Sequence, residues 1–228
     1  MDYGRGMPRF AHEDVEIAFL EEGEGEPVVL IHGFASNKEV NWVFPGWVTT
    51  LKSTGRRVIA LDNRGHGQST KLYDPAAYHG AVMAQDVRAL LDHLALPRAD
   101  VVGYSMGARI AAFLAKAHKN RLRSMILGGL GHHLVDRGSL PPSIAEAMEA
   151  PALADLTDPM QRMFRSFAEA TKSDLKALAA CARGARQLMG EGDVGQIDLP
   201  VLIAVGTKDD VAPHDLAALF RRARSGYS

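Results

Sequence analysis

The sequence predicts an α/β protein: a mostly parallel sheet with helices on both faces and a helical insertion late in the chain. Three observations predict it. Short apolar, β-branched runs recur along the chain, stretches of helical periodicity separate them, and one long interval breaks that alternation.

Val15 to Leu20 alternates loosely between apolar and polar residues. The acidic, glycine-containing stretch Glu21 to Glu26 then leads into the continuous run Val28-Val29-Leu30-Ile31, which reads as a hairpin entering a buried strand. Similar runs follow at Val58 to Leu61, Val101-Val102, Met125 to Leu127 and Val201 to Val205. Each has the look of a parallel strand buried on both faces. Between them Met83, Val87, Leu90, Leu91 and Leu94 fall on one helical face, and Ile110, Phe113, Leu114 and Ala117 on another. Such alternation places ligand sites at the carboxyl ends of the strands. From about Leu134 to Asp198 no strand-like run occurs, and helix-like pieces are punctuated by Pro141-Pro142, Pro151 and Pro159. The expected layout is therefore core over 1–133, a helical cap over 134–198, and the last part of the core over 199–228. Within the cap Met160, Met163, Phe164 and Phe167 recur at i, i+3, i+4, i+7; packing onto the body is preferred over lining an acyl pocket.

With 228 residues, 46% of them hydrophobic and 23% charged, the chain fits one domain plus an insertion. Lys+Arg 26 against Asp+Glu 27 gives a net charge of -1 and no electrostatic footprint for nucleic acid. The opening residues lack an apolar signal region, and no apolar run approaches the roughly 18 residues of a membrane span. A cytoplasmic protein with no membrane partner is expected. Cys181 is the single cysteine, so an intrachain disulfide and a cysteine-based zinc or redox motif are excluded, and it is read as packing.

Chemistry is concentrated in two motifs. Gly103-Tyr104-Ser105-Met106-Gly107 directly follows the Val101-Val102 strand and opens the helix through Ile110 and Leu114, the context of a nucleophile elbow. Ser105 would stand on a tight turn at a helix N-terminus, where the dipole and free N–H groups favour developing negative charge. The alternative is a glycine-rich turn with a capping serine. His32-Gly33-Phe34, at the end of the Val28 to Ile31 strand, can supply a second donor. The backbone N–H groups of Phe34 and Met106 would then form an oxyanion hole. His32 itself is read as a structural histidine.

A third segment, Asp62-Asn63-Arg64-Gly65-His66-Gly67-Gln68-Ser69, follows the Val58 to Leu61 strand. In this order and spacing the three motifs resemble the α/β-hydrolase superfamily, in particular its esterase, enol-lactonase, meta-cleavage-product hydrolase and cofactor-free haloperoxidase branches. The resemblance covers roughly Val15 to Leu130 and Leu199 to Leu219; it is specific to the fold and much less so to substrate. It implies the α/β-hydrolase fold and serine hydrolysis of a small carboxylic ester or lactone through an acyl-enzyme, with no cofactor and no metal. A serine at the elbow argues against dehalogenase or epoxide-hydrolase chemistry, where the resemblance would place a carboxylate. In similar proteins the Asp62 to Ser69 loop is mainly structural. A Gly-x-x-Asp with proline four residues later carries the triad acid, which points to Asp209 in Gly206-Thr207-Lys208-Asp209, with Asp210 as the neighbouring alternative.

The resemblance also implies a further strand, a histidine and a closing helix. Phe220 to Ser228 carries no strand-like run, so the C-terminal strand and helix read as missing, and the histidine after Asp210 is His214. His214, His132 and His133 are the possible bases or pocket residues. In extended chain at most one of His132 and His133 could face the site, and neither has a third ligand for a metal. Without its base the chain is expected to be a weak hydrolase, or a non-catalytic member that only binds ligand. An unpaired side of Val201 to Val205 would favour a homodimer.

Overall fold

In the computed structural model, residues 7–136, 140–207, 209, 216–220 and 223–227 are described. The elements in chain order are β1 Arg9–His12, β2 Val15–Glu22, β3 Glu26–Ile31, α1 Trp47–Ser53, β4 Arg56–Leu61, α2 Gly80–His93, β5 Ala99–Tyr104, α3 Met106–His118, β6 Leu122–Gly128, α4 Ser143–Glu149, α5 Pro159–Ala170, α6 Leu175–Gly184, α7 Glu191–Gly195, β7 Val201–Val205 and β8 Ala223–Tyr227. The strands form one sheet in the order β1-β2-β4-β3-β5-β6-β7-β8. From β4 onward every pairing is parallel; β1 and β2 join antiparallel at the edge.

The apolar runs become the central strands because they can be buried on both faces. Along β3 and β4 the side chains alternate: Val29, Ile31, Ile59 and Leu61 join the core under α2 and α3, whereas Val28, Leu30, Val58 and Ala60 meet Trp42 and Val48 of α1 on the other face. Register brings the strand ends level, since Ile31 lies beside Gly103, Gly103 beside Leu127, and Leu127 beside Ile203. The loops after β3, β4, β5, β6 and β7 therefore leave the same edge of the sheet.

Two expectations are corrected here. The hairpin expected between β2 and β3 does not form, because β4 lies between them and the antiparallel pair is β1 with β2. A short turn between two apolar runs reads locally as a hairpin, but β3 gains two parallel neighbours, β4 and β5, by giving up β2. The C-terminal strand read as missing is present: Ala223–Tyr227 pairs parallel with β7 from Val201↔Ala223 to Val205↔Tyr227. Its residues, Ala-Arg-Ser-Gly-Tyr, carry no strand periodicity, and the pairing rests on backbone hydrogen bonds that any sequence without proline can offer. With β6 on one side and β8 on the other, β7 has no unpaired side, and the premise for a homodimer through that edge falls.

Between β6 and β7 the chain is helical. The helix α4 packs on both α5 and α6, and α6 also rests on the turn Pro75–Tyr78. α7 instead lies on α3, tied to it by Lys116 and Asp193 at 2.6 Å. The apolar stripe of α5 does not pack as expected: Met160, Met163 and Phe167 are exposed, and of the four only Phe164 turns inward, against the Phe34 ring at 6.0 Å. α5 is anchored by Ala168 and by buried Arg165, whose guanidinium reaches the carbonyls of Ala147 and Ala150 and the carboxylate of Glu169, all at 2.8 Å. No helix among the described residues is long and apolar enough to cross a membrane.

Candidate active site

β5 ends at Tyr104 and α3 begins at Met106, so Ser105 alone makes the turn between them, at φ 51 and ψ -111. A non-glycine residue in this region is strained, by roughly 1–3 kcal/mol, and survives where its surroundings dictate it. Here the surroundings are two close approaches. A Cβ on Gly103 would stand 2.3 Å from the Gly107 carbonyl oxygen, and one on Gly107 would stand 2.0 Å from that of Ile31. The Ser105 N–H, held by the Gly128 carbonyl at 2.7 Å, completes the clamp.

The Ser105 side chain opens into a pocket of about 60 Å³ at the carboxyl edge of the sheet. The loops after the strands contribute Phe34, Leu130 and His133, α3 contributes Met106 and Arg109, and the inserted segment contributes Leu140, Cys181, Ala182 and Ala185. Neither the Phe34 nor the Met106 N–H is taken by an acceptor among the described residues, which leaves both for a ligand oxygen. Cys181 is fully buried, with its sulfur 3.6 Å from that of Met106, and burial pushes its thiol well above the ordinary range. It packs, as expected, and also forms part of the wall.

The loop carrying Phe34 is held from below by buried polar groups. His32 donates from Nδ1 to the Gly33 carbonyl at 2.7 Å and accepts at Nε2 from the Asn63 N–H at 3.0 Å, which fixes one neutral tautomer. Burial pushes its pKa down, in keeping with a structural role. Asp62 accepts from the Lys38 N–H at 2.9 Å, the Lys38 ammonium at 2.7 Å and the Gln68 N–H at 2.8 Å. Arg64 grips Asp86 of α2 with two bonds of 2.7 Å, and His12 reaches the same carboxylate at 2.7 Å. These bonds tie the Asp62 to Ser69 loop to the Lys38 loop and to α2.

His66 in that loop sets a pH dependence. It is fully buried, its Nδ1 donates to the Arg64 carbonyl at 3.0 Å, and Nε2 has no partner among the described residues. Burial pushes its pKa from 6.5 to about 3. A proton therefore binds the unfolded chain in preference between those values, so stability is full above pH 6.5 and is lost as pH falls towards 3. Within that window the expected slope from this residue is about 1.4 kcal/mol per pH unit. Urea midpoints at several pH values should fall less steeply for His66→Asn than for the natural chain. Equal slopes would mean that His66 is not held neutral.

Of the remaining candidates, His133 lines the pocket with Asp136 at 3.4 Å from Nδ1, whereas His132 is not part of the wall. The two stand on a 3₁₀ turn, Gly131–Leu134, rather than on extended chain. Asp209 is half-buried on the loop after β7, its N–H bonded to the Gly206 carbonyl at 3.1 Å. Asp210 and His214 lie outside the described residues. Among the described residues no cluster of His, Cys, Asp or Glu could hold a metal ion. Sequence reading passed over Arg109, although its place four residues after Ser105 sets it one helical turn along the same face.

The model of the α/β hydrolase fold family matches residues 26–180. The chain belongs to this family. Among curated proteins it is 33% identical over 209 residues to the dihydrolipoyllysine-residue acetyltransferase component of an acetoin cleaving system of Pseudomonas putida, covering 83% of this chain but 53% of that protein, about half its length. It is 27% identical over 231 residues to a non-heme chloroperoxidase of Kitasatospora aureofaciens, covering 89% of this chain and 81% of the relative. Among solved structures the enol-lactonase from Burkholderia xenovorans LB400 superposes with a TM-score of 0.81 at 22% identity, over 97% of this chain and 91% of that one. The α/β-hydrolase fold implied by the sequence motifs is thereby shown.

Proposed function

We propose that the chain is a serine hydrolase of small carboxylic esters or lactones, working through an acyl-enzyme on Ser105. One observation carries the reading: Ser105 is held in a strained turn and lines a pocket together with Phe34 and Met106, whose N–H groups have no acceptor among the described residues. The serine oxygen attacks the carbonyl carbon while a base takes its proton, and the two N–H groups hold the negative charge that moves onto the carbonyl oxygen. Collapse expels the alkoxide, which leaves as the alcohol with that proton. Water then repeats the sequence on the acyl-enzyme and releases the acid. His133, in the pocket wall with an Asp136 oxygen 3.4 Å from its Nδ1, is the candidate for that base among the described residues. Asp209 is the acid that the family pattern assigns. Likeness in fold to an enol-lactonase supports the substrate class.

A fluorophosphonate probe, which acylates activated serines, tests the assignment on the full chain. The label is expected on the peptide containing Ser105 and should be lost in Ser105→Ala. Labelling that persists in Ser105→Ala, or is absent from both, would overturn the nucleophile. His133→Ala and His214→Ala, run beside it, should separate the base, since its loss slows labelling while leaving the melting temperature near that of the natural chain.

A further inference from the structure

We propose that Arg109 forms a carboxylate-binding subsite in the Ser105 pocket, so that the preferred substrate is an ester or lactone carrying an acid group a few carbons from the scissile carbonyl. The carbonyl end of this inference rests on the hydrolase reading above; the anion end rests on Arg109 itself.

Arg109 is 4% exposed, yet it lines the same pocket as Ser105. It lies one turn further along α3, with its N–H donating to the Ser105 carbonyl at 3.1 Å. The guanidinium donates from Nη1 to the Gln187 carbonyl at 2.7 Å and from Nη2 to the His133 carbonyl. Those bonds use two of the five N–H groups that a guanidinium offers.

The other buried arginines show what is different. Arg64 has Asp86 and Arg165 has Glu169, whereas no ion pair joins Arg109 to a carboxylate of any described residue. The acid whose charge it feels is Asp136, which pairs with His133. Burial lowers its pKa to about 10, so the group stays charged at neutral pH. A desolvated cation whose hydrogen bonds among the described residues go to carbonyls is costly, and a ligand carboxylate would supply charge-assisted, paired hydrogen bonds.

The rest of the wall suits what would lie between the two ends. Phe34, Leu130, Leu140 and Ala182 offer carbon surface, and about 60 Å³ holds on the order of four to six water-sized groups. A short acyl chain ending in a carboxylate matches that space. Its carbonyl would sit at Ser105 and its acid at Arg109.

The competing role for Arg109 is a strap that ties the loops of His133 and Gln187 together. A strap would not distinguish an acid from its amide, and this decides the experiment. Monoethyl succinate and monoethyl glutarate are each compared with the matching neutral half-amide ester, using the natural chain, Arg109→Gln and Arg109→Lys. The natural chain should favour one of the acids over its amide by roughly 10- to 100-fold in kcat/KM. Arg109→Gln should abolish that ratio and Arg109→Lys should keep part of it. Equal rates on acid and amide, or an acid preference that survives in Arg109→Gln, would overturn the proposal; if Arg109→Gln does not fold, Arg109→Lys supplies the ratio.

Calorimetry with glutarate and glutaramide separates this inference from the reading on which it rests. Should Ser105 take no phosphonate label, the hydrolase reading fails. The anion site is then decided by whether glutarate, and not glutaramide, binds the natural chain, with the binding lost on Arg109→Gln and kept in part on Arg109→Lys. Labelled Ser105 without preference for the acid in either measurement leaves the hydrolase and removes the subsite.

Discussion

Ser105→Ala is expected to lower kcat on p-nitrophenyl butyrate by on the order of 10⁶, the fall that follows loss of a nucleophile acting with its base. The clamp around the turn makes this a clean experiment. Ser105 is held by the close approach of Gly103 to Gly107, by the approach of Gly107 to Ile31, and by its own N–H on Gly128, none of which involves the hydroxyl. Alanine can therefore take the same backbone, and the melting temperature should stay close to that of the natural chain. The Phe34 and Met106 N–H groups remain, so residual turnover above the uncatalysed rate is expected from them and from binding. A fall of less than about tenfold, measured on folded protein, would show that Ser105 does not work with an engaged base.

Asp62→Ala is expected to cost about 3–5 kcal/mol of stability, a large part of the 5–15 kcal/mol typical of a domain. Its partner Lys38 is 0% exposed, and once Asp62 is removed the ammonium keeps, among the described residues, only Glu39, at 2.9 Å. Burial works against the charged form of Asp62, but the His32 ring, the Lys38 ammonium and the Gln68 N–H outweigh it and hold the carboxyl below its usual range. The damage should reach the site as well, because Lys38 continues the loop that begins at Gly33-Phe34. Replacing both partners, Lys38→Met with Asp62→Leu, should cost less than Asp62→Ala alone, since no unpaired charge is then buried. Urea unfolding of the three proteins measures both statements. A single variant within 1 kcal/mol of the natural chain, or a double variant worse than the single, would contradict them.

Much of the site was legible because its signals are local. Gly103, Ser105 and Gly107 occupy fixed places in a strand, turn and helix, and that local geometry needs small residues at both flanks whatever the rest of the chain does. Phe34 was likewise read from a strand run and the residues just after it, whereas Asp209 beyond β7 came from the family resemblance. The α5 stripe was misjudged for the opposite reason. Periodicity says which residues share a face, while whether that face meets the body depends on where Arg165 and Ala168 anchor the helix.

The central strands, the helices between them, the strand–turn–helix at Ser105 and the family of the fold could all be read along the chain. The elements each follow from residues within a few positions of one another, and the family from the order and spacing of three such motifs. It took the folded molecule to show that β4 comes between β2 and β3, that the unpatterned Ala223–Tyr227 pairs as an edge strand, that His133 rather than His132 lines the pocket, and that Arg109 is buried near Ser105 with no ion pair to a carboxylate among the described residues. Those outcomes depend on which distant segments share a boundary. Backbone pairing and burial are set by neighbours in space, and the pattern along the chain does not record them.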